Sequence, residues 1–154
     1  MAEVFRNFLK AVQSGAGRSW EGIQSLAELN PRYLSVLNGV VGDTLEARRS
    51  RLAIPMGLLG EVRGRKLCVL VHGLCDSEET WRFPNDPARS YGSLLQQDFG
   101  YSPLYLRYNS GLHISTNGRR LAALLSEFEA EYSGVIQDLS FVGHSMGGLV
   151  VRSA

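Results

Sequence analysis

Apolar residues recur along this chain with two different periods, and the change falls near Ile54 and Pro55. Before that point the spacing is helical. Phe5, Phe8, Leu9 and Val12 fall at i, i+3, i+4 and i+7, which predicts a first helix closing near Gly15 and Gly17. Trp20, Ile23 and Ala27 predict a second, shorter one. Asn30 followed by Pro31 is a helix-start signal, because asparagine caps free amides and proline lacks an amide that would go unpaired in the first turn. Tyr33, Leu34, Leu37, Val41 and Leu45 carry the apolar stripe onward. Gly39 and Gly42 interrupt it, each costing roughly 1 kcal/mol relative to alanine, which predicts either close packing or a break in the helix.

After residue 60 short apolar runs alternate with helical spacing. The run 67–71 is continuously apolar, as in a strand buried on both faces of a parallel sheet. Tyr91, Leu94, Leu95 and Phe99 follow at helical spacing and end at Gly100, a stop signal. A second strand is predicted over 104–108. A helix then carries Leu121, Leu124, Leu125, Phe128 and Tyr132, a third strand covers 139–143, and a third helix starts at Met146. This rhythm implies an α/β fold, a parallel sheet covered by helices, in which ligands bind at the carboxyl ends of the strands. The chain thus divides into a helical lead, 1–53, and an α/β domain, 54–154.

Composition narrows the function classes. Sixteen basic and fifteen acidic residues leave a net charge of +1, too little to draw nucleic acid or an acidic membrane by field alone. No run approaches the ~20 apolar residues of a spanning helix. Arg6 and Lys10 stand where a signal peptide would be apolar, so a cytoplasmic location is expected. Cys68 and Cys75 read as free thiols of a reducing compartment. The three histidines are scattered and no C-x-x-C pair occurs, so no metal is expected. Gly15-Ala16-Gly17 lacks the strand and third glycine of a dinucleotide turn, and no cofactor is expected. The amphipathic lead reads as a brace on the main domain, with a peripheral membrane or partner-binding face as the alternative.

Chemistry concentrates in two places. Gly143-His144-Ser145-Met146-Gly147 has the form G-x-S-x-G between a predicted strand and a predicted helix. A serine on so sharp a turn needs small neighbours, and Gly143, Gly147 and Gly148 supply them. The turn sets Ser145 above a helix N-terminus, where the amide of Met146 can donate to a developing oxyanion. His72-Gly73-Leu74 follows the first strand. Gly73 permits a sharp turn that aims the Leu74 amide at the same oxygen, while His72 reads as structural.

These two motifs, at these positions, resemble the α/β-hydrolases, particularly bacterial lipases and esterases and the GPI-inositol-deacylase-like group. The resemblance covers about residues 54–154, with a softer match from Tyr108-Asn109-Ser110-Gly111 through Asn117-Gly118. It implies that Leu74 and Met146 form the oxyanion hole and that Ser145 attacks an acyl carbonyl to give an acyl-enzyme. Gly73, His72, Gly143, His144 and Gly147 would support the site. It also implies a small-molecule ester substrate, with a lipid-like acyl group suggested by the family alone.

One feature departs from that pattern. The family places an acid and then a histidine after the serine, yet none of the nine residues from Met146 to Ala154 is Asp, Glu or His. A part of a longer protein, inactive alone, is therefore expected, with a non-catalytic hydrolase-fold binding module or a truncated product as the alternative. The strand 139–143 should also show an uncovered edge. Among the histidines present, His113 is the best substitute base, although its strand should not neighbour that of the serine. Asp76, Glu78 and Glu79 read as a solvated acidic loop.

Overall fold

The computed structural model describes residues 31–154, so the helices expected at 5–12 and 20–27 lie outside the described residues. The chain forms helix α1 (Pro31–Ala47), strand β1 (Gly57–Leu59), strand β2 (Lys66–Val71) and a short 3₁₀ turn (Glu78–Trp81). A hairpin follows, β3 (Arg82–Phe83) and β4 (Asp86–Ser90), and then α2 (Tyr91–Phe99) and β5 (Ser102–Arg107). Helix α3 (Ile114–Glu131), β6 (Asp138–Gly143) and α4 (Met146–Ser153) complete the chain.

The continuous apolar run becomes the inner strand β2, buried from Leu67 to Val71. It pairs in parallel with β5 on one side and β6 on the other, and β1 adds antiparallel to β5, giving the order β1-β5-β2-β6. The fold is mixed α/β with a mostly parallel sheet, as the sequence implies. Leu67, Val69 and Val71 share a core with Leu104, Leu106, Leu121 and Val150, which places α3 and α4 on one face. Each such side chain contributes about 1.5–3 kcal/mol by leaving water. On the other face α2 comes down on β5 at Gly92, where a side chain would lie 2.7 Å from the Cβ of Pro103.

The structure departs from the sequence reading in several places. β1 and the β3–β4 hairpin were not expected: β1 is three residues long, and the hairpin sequence is mostly polar with no alternation. The second strand runs Ser102–Arg107 rather than 104–108, so Tyr108 lies just past its end, yet is buried. Helix α2 starts on a capping box between Ser90 and Ser93 and stops at Gly100 in the left-handed conformation (φ 71°). Its expected apolar face is only partly covered, because Tyr91 and Phe99 are more than half exposed. Tyr91 instead meets Trp81 and Phe83 beside the hairpin.

Both alternatives for the glycines of α1 hold. The helix kinks at Val41 (φ −132°, ψ 24°), and Gly42 lies against Asn109, whose side-chain amide donates to the Gly42 carbonyl at 2.9 Å. Val36, Leu37, Leu45 and Leu52 form a second apolar cluster around this helix. At the opposite side of the sheet β6 is the last strand among the described residues, and Leu139 and Val142 on it are exposed.

Candidate active site

Between the end of β6 at Gly143 and the start of α4 at Met146 the chain reverses within two residues. Ser145 takes up that reversal at φ 53°, ψ −124°, a region in which a non-glycine residue costs about 1–3 kcal/mol. The surrounding bonds hold it there. The His144 amide donates to the Val71 carbonyl at 2.9 Å, the Gly147 amide to His144 at 2.9 Å and the Gly148 amide to Ser145 at 3.1 Å. Side chains could not be accommodated around it: a Cβ at 143 would lie 2.6 Å from Gly148 Cα, and one at 147 would overlap the Val71 carbonyl oxygen. Ser145 itself is exposed.

The turn after β2 meets this serine directly. A side chain on Gly73 would lie 3.2 Å from the Cβ of Ser145 and 3.3 Å from the His144 carbonyl. Parallel pairing of β2 with β6, with Val71 opposite Gly143, puts both strand ends at one level and so brings the two motifs together. Among the described residues the backbone amides of Leu74 and Met146 donate to no protein acceptor, whereas the Cys75 amide next along donates to the Ser110 hydroxyl at 3.0 Å.

The three histidines part company. His72 is buried, stacked on Tyr108 with ring centroids 4.4 Å apart, and its Nδ1 lies 2.9 Å from the Gly73 carbonyl oxygen. Burial pushes its pKa down, and since a carbonyl only accepts, the neutral ring carries its proton on Nδ1. His113 precedes α3 and its carbonyl accepts the amides of Thr116 and Asn117; it does not line the cleft described next. Its strand β5 is separated from β6 by β2, as expected. His144 is exposed beside Ser145, and no hydrogen bond joins Ser145 to a histidine among the described residues.

Ser145 opens onto a cleft of about 580 Å³. Leu74, Phe83, Pro84 and Pro87 give it an apolar wall, and Arg32 and Ser35 of α1 reach its rim. None of these except Leu74 was singled out in the sequence, because the hairpin lacks a strand-like pattern and α1 lies far from the motifs along the chain. The acidic loop is more engaged than a solvated one. Glu79 pairs with Arg82 at 3.0 Å, and Glu78 is bonded twice by the Arg107 guanidinium, from Nε at 3.0 Å and from Nη2. Burial pushes the Glu78 carboxyl up, but the Arg107 bonds and charge outweigh it and hold the pKa below the ordinary carboxylate value.

A second groove of about 520 Å³ is lined by the end of α1, the segment 49–56 and α3, including the Arg120–Glu46 ion pair (2.7 Å), and contains neither motif. Among the described residues no cluster of His, Cys, Asp or Glu is arranged to hold a metal, and no helix is long and apolar enough to cross a membrane.

The fold is a mostly parallel α/β sheet with a serine at a strand-to-helix turn, and the comparison with known families adds the class: residues 62–154 match the family described as "Putative serine esterase (DUF676)". The chain is a member of that serine-esterase family. No curated protein and no solved structure matches it.

Proposed function

We propose that Ser145 is the nucleophile of a carboxylic-ester hydrolase built on the α/β-hydrolase plan and acting as part of a longer protein. The observation that carries this reading is the positive-φ serine pressed against the Gly73 turn, with a cleft opening from it. Ser145 Oγ attacks the ester carbonyl while a general base takes its proton. The oxygen of the tetrahedral intermediate accepts hydrogen bonds from the Leu74 and Met146 amides, whose unpaired state in the described residues suits that role. Collapse expels the alcohol, which takes the proton back from the base, and leaves an acyl-enzyme that water hydrolyses by the same route.

No histidine among the described residues is placed as that base. His72 is committed to the Gly73 carbonyl and His113 lies off the cleft. Leu74, Phe83, Pro84 and Pro87 offer an apolar acyl group one wall of the cleft, beside the charged Arg32, Asp76, Glu79 and Arg82; a lipid-like acyl group rests on the family resemblance. Cys68 and Cys75 are both free thiols, and the proposed setting is a reducing, cytoplasmic one, which cell fractionation tests.

The decisive experiment is labelling of the full-length protein with a fluorophosphonate, with Ser145→Ala as control. Labelling that disappears in Ser145→Ala supports the reading. A folded full-length protein that does not label replaces it with a non-catalytic hydrolase-fold module.

A further inference from the structure

We infer that helix α1 is a working part of the active site, with Ser110 and Gly39 as positioning residues that aim the Leu74 amide through Cys75; this rests on the esterase reading above. The family match begins at residue 62, so it assigns no role to α1. The geometry does.

Cys75 follows Leu74 directly and is held at φ 59°, in the left-handed region that a residue with a Cβ leaves readily unless its surroundings hold it. Two contacts hold it from different sides. From the loop after β5, the buried Ser110 hydroxyl accepts the Cys75 amide at 3.0 Å. From α1, the backbone at Gly39 rests on the same residue: a Cβ at 39 would overlap the Cys75 Sγ and lie 2.7 Å from its Cα and its amide nitrogen. Only glycine at 39 lets the helix come that close.

The helix can serve as a stop because it is itself fixed. Asn38 is fully buried; its side chain donates to the Leu52 carbonyl at 2.7 Å and accepts the Ile54 amide at 2.9 Å. Asn109 donates to the Gly42 carbonyl at 2.9 Å and is clasped in turn by the Gly111 amide at 3.1 Å and by the Asn117 side chain at 3.0 Å. The helix, the loop 109–111 and the turn 73–75 therefore form one block. An oxyanion donor must sit within about 2.7–3.1 Å of the charge it stabilises, and an error of about 1 Å in placing a reacting group can cost about a hundredfold in rate. Relaxing either contact on Cys75 frees the Leu74–Cys75 peptide, the C-terminal anchor of the turn that aims the Leu74 amide.

The test uses the full-length protein, a soluble ester substrate and a trifluoromethyl ketone, whose hemiketal oxygen occupies the place of the reaction's oxyanion. In both Ser110→Ala and Gly39→Ala, made separately in case one fails to fold, kcat should fall at least about tenfold with KM within about twofold of the parent. The ketone's inhibition constant should rise by the same factor as kcat falls. A folded variant of either kind with kcat and inhibition constant unchanged overturns the inference, as does a rise in KM alone. A parent without Ser145-dependent turnover defeats the esterase reading and this inference with it, and that failure is visible before any variant is made.

Discussion

The Tyr108 hydroxyl donates to the main-chain carbonyl of His72 at 2.6 Å, fully buried, tying the end of the β5 strand to the residue just ahead of the glycine turn. Removing the donor leaves a buried carbonyl without that partner, at a cost of about 1–3 kcal/mol. Tyr108→Phe should lower the urea midpoint accordingly and leave the slope of the transition unchanged, since the surface exposed on unfolding barely alters.

Two neighbouring glycines of the serine turn should respond oppositely to alanine. At 147 a Cβ would overlap the Val71 carbonyl oxygen and lie 2.5 Å from that of His72, both of them backbone atoms of the sheet. At 148 the nearest atom is 4.0 Å away. Gly147→Ala should cost several kcal/mol, on the order of an overpacked core site, or prevent folding. Gly148→Ala should be neutral or stabilise by up to about 1 kcal/mol through helix propensity. Thermal denaturation of the pair decides it.

Ser145 is held at φ 53° by its surroundings, so relief of that strain should stabilise the fold. Ser145→Gly is expected to raise stability by roughly 1 kcal/mol while abolishing Ser145-dependent chemistry. Denaturation of Ser145→Gly beside Ser145→Ala reads this directly, because alanine keeps the Cβ and therefore the strain. Equal stability of the two would refute it.

His72 makes stability pH-dependent. Burial holds its folded-state pKa below the ordinary 6.5, against smaller opposing effects of the Gly73 carbonyl, Asp76 and Glu78, while the neighbouring His144 pushes further down. The unfolded chain therefore binds a proton that the folded chain resists. The contribution is complete above about pH 6.5 and is lost as pH falls from there through the folded-state value. His72→Asn keeps a side-chain amide donor near the Gly73 carbonyl but does not titrate. Urea midpoints taken between pH 7.5 and 5.5 should fall more steeply for the parent than for His72→Asn.

Much of this architecture is legible in the sequence because its signals are local. The apolar run 67–71 belongs to the central strand, Leu121 and its helical neighbours form α3, and Gly100 closes α2. The pairing of the His72-Gly73-Leu74 turn with Ser145 is legible as well, since parallel strands of one sheet carry both motifs at the same end. The hairpin 82–90 is not. Its short strands are polar and exposed, and its shape depends on contacts such as Phe83 on Tyr91 and Arg82 on the Pro87 carbonyl rather than on a pattern. The wall of the cleft is lost to the sequence with it. Gly39 announces a close approach, yet nothing in the sequence says that the approaching group is Cys75, because that contact spans the join between a helical and an α/β pattern.

The pairing of β2 with β6 also sets a schedule for the ribosome. Lys66 finds its partner in Asp138, 72 positions later, so the most apolar strand among the described residues is made long before this second neighbour exists. At about 5–20 residues per second that interval is roughly 4–14 s, during which the segment 67–71 is synthesised but lacks one of its two flanking strands. Newly made chains therefore pass through a window in which they are prone to stick to one another, and the yield of folded protein should follow the supply of chaperones that bind exposed apolar segments.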